Sequence, residues 1–273
     1  MAGQLTMGKY PDKMLRHYGF RKKYLSFGDK DNAMTKVISG KELSIKLKAE
    51  MAAQVSTFPE KYGRVPHLVV ILVGEDPASQ SYVKGKAKAS EVVGIHNADD
   101  TVDGILVQLP LPDHINEDKV IASISKDKDV DGFHPLNVAA LWQKQPCTVP
   151  CTPMGIIRML EDAGVEIKGK RTVVIGRSQI VGLPVAKLLL DRNATVTICH
   201  SRTADLPAVT REAEILVVAI GRSKFVTKDM VTPGTVVIDV GVNRDPETGK
   251  LCGDVDYDAV APLASVITPV PGG

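Results

Sequence analysis

The chain has 273 residues, room for two domains at the usual span of about 100–200 residues each. Its 44% apolar and 24% charged content excludes disordered, collagen-like and coiled-coil classes. The longest apolar runs, Leu68–Val73 and Ile215–Ile220, fall far short of the roughly 20 residues that cross a bilayer, and a formal charge of +2 with no basic stripe argues against a nucleic-acid partner. Neither a membrane nor nucleic acid is therefore expected as a partner. Cys147, Cys151, Cys199 and Cys252 have neither zinc-site spacing nor the density of a disulfide scaffold, so they read as reduced thiols with no metal.

Residues 1–33 differ from the rest. They hold five of the twelve aromatic residues and seven basic against three acidic side chains, with no sustained apolar period. A single serine and the lack of an amphipathic pattern argue against an organellar leader, and the segment reads as an atypical, loosely attached extension. From Lys41, Leu43, Leu47, Met51 and Val55 recur every fourth residue and predict an amphipathic helix. Leu68–Val73 reads as a strand buried on both faces. Pro77 opens a helix carrying Tyr82, Lys86 and Lys88, and Ile105–Val107 is a second strand stopped by Pro110 and Pro112. Thr152-Pro153 reads as an N-cap followed by a first-turn proline, with Gly164 closing that helix.

The second half alternates between short β-branched runs, Thr172–Ile175, Thr195–Cys199, Ile215–Ile220 and Val236–Val240, and helical stretches such as Leu183–Leu190. That rhythm predicts right-handed βαβ units and a parallel sheet covered on both sides. The fold class is α/β in two lobes. Residues 34–150 form a catalytic lobe and residues 151–273 a Rossmann-like lobe, divided in the Pro/Cys/Thr-rich segment 145–153.

The strand Thr172–Ile175 runs into Gly176-Arg-Ser-Gln-Ile-Val-Gly182 and then a helix. A glycine turn aimed at a helix N-terminus suits a pyrophosphate, although G-R-S-x-x-x-G departs from G-x-G-x-x-G. The next strand ends in Cys199-His-Ser-Arg202 without the carboxylate that would hold a ribose 2′-hydroxyl. Arg177, Ser201 and Arg202 are suitable donors to a 2′-phosphate, so NADP is expected over NAD; the bland alternative is that they are solvated loop residues.

Tyr82 and Lys86 lie four apart on a helix and share a face, with Ser79 one turn earlier. A lysine in a cleft can serve as base or proton shuttle, whereas alone the pair reads equally as a surface lysine beside a packed ring. A short-chain dehydrogenase is ruled out by order, because there the glycine turn precedes the Tyr/Lys pair.

The blocks Val73-Gly-Glu-Asp-Pro-Ala-Ser-Gln-Ser-Tyr-Val83 with Lys86, Asp103-Gly-Ile-Leu-Val-Gln-Leu-Pro-Leu-Pro112, Lys128-Asp-Val-Asp-Gly-Phe-His-Pro135, Pro150-Cys-Thr-Pro153, Gly176–Pro184 and Thr268-Pro-Val-Pro-Gly-Gly273 come in an order that resembles the bifunctional methylenetetrahydrofolate dehydrogenase/cyclohydrolase family. The resemblance implies a cytoplasmic homodimer that oxidises 5,10-methylenetetrahydrofolate with NADP+ and hydrolyses the methenyl product to 10-formyltetrahydrofolate, a donor for purine biosynthesis. It implies Lys86 as the main catalytic group, assisted by Gln108 and Tyr82. Folate would be lined by Tyr82, Ser79, Asp131, Pro269, Pro271, Gly272 and Gly273. NADP would lie on Gly176, Arg177, Ser178, Ile180, Gly182, Ser201, Arg202, Ile220, Gly221 and Val242. An unrelated amino-acid or shikimate-type dehydrogenase shares the two-lobe plan but leaves the Gln108 and Asp131 blocks unexplained.

Two departures from the family stand out. Between Gly94-Ile95 and Thr101 the chain has five residues where the family has a strand and a helix, about 30 residues for such a unit. At Gly273 the family continues into a helix returning to the first lobe. Three readings of the short junction remain open: residues missing from a complete enzyme, a misread gene, or a shortened, inactive homologue that only binds NADP or a partner subunit. A Cα separation much larger than the roughly 3.80 Å of a trans peptide near 96–99 would favour the first.

Overall fold

The computed structural model describes residues 35–95 and 102–273. The extension 1–33 and the junction at 96–99 lie outside the described residues. The first lobe contains β1 (Lys36–Val37), α1 (Gly40–Val55), α2 (Phe58–Tyr62), β2 (Leu68–Ile71), α3 (Pro77–Val93), β3 (Gly104–Val107), α4 (Glu117–Ser123) and α5 (Pro135–Trp142). The second contains α6 (Cys151–Asp162), β4 (Arg171–Ile175), α7 (Gly182–Asp191), β5 (Thr195–Cys199), α8 (Leu206–Arg211), β6 (Ile215–Val218), a 3₁₀ turn (Lys228–Met230), β7 (Val236–Asp239), the antiparallel pair β8 (Asn243–Arg244) and β9 (Leu251–Cys252), α9 (Tyr257–Val260) and β10 (Val266–Ile267).

Six strands form one parallel sheet in the order β1-β10-β7-β6-β4-β5. Its strands read as unbroken apolar runs because both faces are covered. Alternate residues divide between two cores: Val174, Ile215, Val217 and Ile238 pack with Ile156, Ile157, Leu160, Val185 and Leu189 on one face. Val173, Ile175, Leu216, Val218 and Val237 pack with Val226, Met230, Val231 and Val260 on the other. Each fully buried aliphatic side chain contributes about 1.5–3 kcal/mol.

The sequence boundaries hold to within a few residues, with four corrections. β1 belongs to the first lobe by position but pairs with β10 at the edge of the large sheet, Lys36 opposite Val266; a two-residue strand carries too little pattern to reveal a distant partner. α6 starts at Cys151 with Pro150 as its cap, so Thr152 is helical. Pro153 is accommodated within the first turn because N–H groups there have no intrahelical acceptor to lose. β2 is half-buried, and Ile71 is 40% exposed, because β2 pairs with β3 alone among the described residues. Met51, expected on the buried stripe of α1, is exposed, whereas Leu43 and Val55 are buried.

Beyond the β1–β10 pairing, further contacts join the lobes. Lys46 pairs with Asp162 at 2.9 Å, Lys36 Nζ donates to Ala163 O at 2.7 Å, and Gly40 N donates to Gly272 O at 2.9 Å. The last draws the Pro269–Gly273 segment onto the start of α1, where a Cβ on Gly40 would meet the Gly273 backbone at 2.6 Å.

Candidate active site

α3 carries Lys86, the amine expected to be catalytic. Pro77 occupies its first turn, the Asp76 carboxylate accepts from Ser79 N at 2.7 Å, and Gly94 closes it at φ 85°. Lys86 Nζ donates to Gln108 Oε1 at 3.0 Å, across from the helix to the end of β3. Gln108 Nε2 donates to Leu109 O at 2.8 Å, which turns the amide so that its oxygen faces the lysine.

Asp131 lies within the field of the same amine. Burial pushes its carboxyl above the usual range, and the positive charge of Lys86 pulls it back. The Cys151 thiol is also pushed up, first by burial and then by Asp131, with Lys86 opposing. Cys151 opens α6, so Lys86 faces the junction with the dinucleotide lobe. Tyr82 lies one turn before Lys86 on α3 and is 53% exposed. Ser79, expected from the resemblance to line the folate, is only 2% exposed. Pro269 is half-buried and Pro271, Gly272 and Gly273 are exposed.

The turn bearing Asp131 is held by Asp129, which sequence reading passed over. This buried carboxylate accepts from Gly132 N at 3.0 Å, His134 N at 2.8 Å and Asn137 Nδ2 at 2.9 Å. Gly132 is required there: its φ is +70°, and a Cβ would lie 2.6 Å from Thr148 O.

The dinucleotide crevice lies at the carboxyl end of β4. Strand order reverses between β4 and β6, which is where open α/β sheets bind ligands. A Cβ on Gly176 would collide with Ala219 O, and one on Gly182 would lie 2.6 Å from Gly176 C and 2.9 Å from Arg177 N. The turn is thus packed backbone to backbone, leaving no room for side chains where a pyrophosphate would approach. Ser178 Oγ accepts from Val181 N at 3.1 Å and Gly182 N at 3.3 Å. Its hydroxyl therefore caps α7, with its hydrogen left to donate outward. Gly176 N donates to Cys199 O at 2.9 Å, so the loops carrying Arg177 and Ser201-Arg202 leave neighbouring strand ends, and all three side chains are exposed. Ile180 and Val242 are exposed as well, and Ile220 is half-buried. These residues fit a dinucleotide bearing a 2′-phosphate: a side-chain-free turn for the pyrophosphate and two guanidiniums at the β4 and β5 ends.

Asp239 and Asp254 were also missed. Each has a glycine nearby, Gly241 and Gly253, which is the local signal that was present. Asp239 ends β7 and accepts from Gly241 N, Asp254 N and Val255 N at 2.9–3.0 Å. Burial pushes its carboxyl up to about 6, against the downward pull of those three bonds.

A paired lysine and glutamine on one α/β lobe, and on the other a parallel sheet with a packed glycine turn at its switch point, fit a two-lobed nicotinamide-dependent enzyme. The family profile described as tetrahydrofolate dehydrogenase/cyclohydrolase, NAD(P)-binding domain, matches residues 150–273. The corresponding catalytic-domain profile matches residues 38–97 and 96–131. The chain is 55% identical over 262 residues to the bifunctional protein FolD of Streptococcus pneumoniae serotype 4, covering 88% of this chain and 92% of that one. The bifunctional FolD enzyme of Campylobacter jejuni superimposes with a TM-score of 0.84 at 45% identity, covering 88% and 92% of the two chains. The Trypanosoma brucei methylenetetrahydrofolate dehydrogenase-cyclohydrolase, solved with NADP cofactor and inhibitor, gives 0.82 at 36% identity and covers 88% and 91%. The chain belongs to the tetrahydrofolate dehydrogenase/cyclohydrolase family.

The break in the catalytic-domain match falls at 96–97, where the strand-helix unit is expected to be missing. Since 88% of 273 residues is about 240, about 22 of the 262 positions aligned with the pneumococcal relative are gaps in this chain.

Proposed function

We propose that this protein oxidises 5,10-methylenetetrahydrofolate with NADP+ and hydrolyses the methenyl product to 10-formyltetrahydrofolate in one cleft. The observation that carries the reading is the Lys86–Gln108 pair at 3.0 Å, with Asp131 and Cys151 in its electrostatic reach. Both residues are half-buried, which supports a place for the pair near the lobe junction. When bound, the dinucleotide accepts the hydride. Oxidation would remove a hydride from the one-carbon bridge of the folate and leave a methenyl cation; water would then add to that carbon, and loss of a proton with cleavage of the carbon's bond to N5 would leave the formyl group on N10. Lys86, with one N–H committed to Gln108, orients water and carries protons in the second half. Asp131 is suited to the aminopyrimidine edge of a pterin, which can donate two parallel N–H bonds to a carboxylate. Tyr82 lines the folate. Holding both reactions in one cleft removes the entropy of a second encounter.

Coenzyme choice follows from Arg177, Ser201 and Arg202 and from the absence of a carboxylate at the end of β5. The division at residue 150, a homodimeric assembly and a cytoplasmic setting belong to the same proposal. The first is supported by the profile match that starts at 150, and the other two by the family resemblance. No helix among the described residues is long and apolar enough to cross a membrane.

The test is NADPH formation from methylenetetrahydrofolate together with hydrolysis of the methenyl compound. Wild-type protein should catalyse both, and Lys86→Met should keep NADP binding while losing at least about 100-fold in hydrolysis, the lower range for a positioned acid-base group. Folded, NADP-binding protein that makes no substrate-dependent NADPH would overturn the enzyme reading and favour the binding-only homologue.

A further inference from the structure

Asp254 lies between β9 and α9 and is 0% exposed. Its Oδ2 accepts from Ile220 N at 2.7 Å and Gly221 N at 3.0 Å, and its Oδ1 accepts from Arg222 N at 2.7 Å and Asn243 Nδ2 at 2.8 Å. Three consecutive backbone N–H groups of the loop after β6 thus converge on one carboxylate, an anion-binding nest filled from within the protein. The fourth donor, Asn243, opens β8 directly after the loop that carries exposed Val242.

The anchor is itself fixed from behind. Asp254 N and Val255 N both donate to Asp239 at 2.9 Å. A Cβ on Gly241 would collide with the Asp254 carboxylate, and one on Gly253 with that of Asp239, so neither carboxylate has room to shift toward its glycine. Asp239 N in turn donates to Thr268 Oγ1 at 2.8 Å, ahead of the Pro269–Gly273 segment. One buried chain therefore ties the loops after β6 and β7 to the strand that leads into the folate-side terminus.

The sheet order gives this anchor a direction. β5 lies on one side of the central β4 turn and β6 and β7 on the other. The ribose-phosphate donors Ser201 and Arg202 are at the β5 end, so the opposite half of a dinucleotide, its nicotinamide, falls over the β6 and β7 loops. We infer that Asp254 is a positioning residue for hydride transfer, holding Ile220–Arg222 and, through its bond from Asn243, Val242 as the wall that sets the nicotinamide against the folate. It touches neither ligand, and the inference rests on the dehydrogenase reading above.

Because hydrolysis of the methenyl cation requires no hydride transfer, the two activities separate this role from general destabilisation. Asp254→Asn keeps the shape but places N–H against N–H. It should lower the dehydrogenase kcat by about 30-fold, within the range for a sub-ångström to 1 Å misplacement, with the KM for NADP+ and the methenyl hydrolysis rate each changed less than about threefold. Asn243→Ala removes only one exposed-side tie and should show the same split at about fivefold. It serves as the working variant if Asp254→Asn does not fold. Equal loss of both activities in the folded variant, or an unchanged dehydrogenase kcat in both variants, would overturn the inference. Wild-type protein lacking either activity would instead overturn the enzyme reading.

Discussion

Replacing Gly182 with alanine probes the proposed pyrophosphate turn without touching a charged or reactive group. The backbone at Gly182 is not in the left-handed region, so alanine adds no conformational strain; the cost is contact alone. The new methyl would overlap Gly176 O and lie 2.6 Å from Gly176 C and 2.9 Å from Arg177 N. All three are backbone atoms that cannot rotate away, so the turn must open by roughly 1 Å to reach carbon contact distances of about 3.5–4.0 Å. Opening breaks the bonds of Ser178 Oγ to Val181 N and Gly182 N, a cap worth about 1 kcal/mol, and the helix preference of alanine over glycine offsets a similar amount. The overlap with unyielding backbone remains and should lower stability by about 1–3 kcal/mol. Binding should fall as well, because two N–H bonds to a charged phosphate are worth about 1.5–3 kcal/mol each, and partial loss of both predicts affinity of the folded variant for NADPH lower by about 30-fold or more. Fluorescence titration with NADPH measures this, with urea midpoints recorded in parallel. Gly155→Ala is the control: that glycine lies in α6 with nothing within 4 Å of a Cβ, so binding should be unchanged. Gly182→Ala protein that binds NADPH within threefold of wild type would refute the packed-turn argument.

Two further outcomes follow from the same geometry. Arg202→Ala should raise the KM for NADP+ by about tenfold, the scale of one exposed charge-assisted hydrogen bond to a phosphate, while leaving the KM for NAD+ unchanged. Parallel loss for both coenzymes would remove Arg202 from the 2′-phosphate site. Asp103 bonds Arg64 at 2.6 Å through both oxygens and accepts from His67 N at 3.0 Å. Arg64 first, then the His67 N–H, hold its carboxyl at about 2, below its ordinary 3.8. A depressed carboxyl stabilises the fold above its unfolded pKa and loses that contribution as the pH falls from about 4 toward 2. With the two side chains 44% and 41% exposed, the contribution is at most about 1 kcal/mol. The gap between the urea midpoints of wild type and Arg64→Ala should therefore be full at pH 7 and narrow as the pH falls from about 4 toward 2, and a gap that stays constant would show that the pair does not act through Asp103 ionisation.

What was legible in the chain was local. Valine and isoleucine runs mark strands because a strand covered on both faces has no polar side to display, and Gly176 with Gly182 marks the turn because no other residue fits two backbones so close. Tyr82 and Lys86 share a face because helical spacing puts them there, and the family blocks supplied Gln108 and Asp131. Where patterns were short or the deciding contacts distant, the chain was silent. β1 joins a sheet 230 residues away in sequence, Lys36 opposite Val266. Thr152-Pro153 carries the residue types of a helix start, yet the helix begins two residues before Pro153, at Cys151. Asp254 looks like any loop aspartate until folding brings it to three N–H groups 32–34 positions earlier. Periodicity and turn chemistry act between neighbours along the chain and so can be read from it. The choice of which buried carboxylate meets which orphaned N–H depends on how strands are ordered in the sheet, and that order is settled only when the whole core packs.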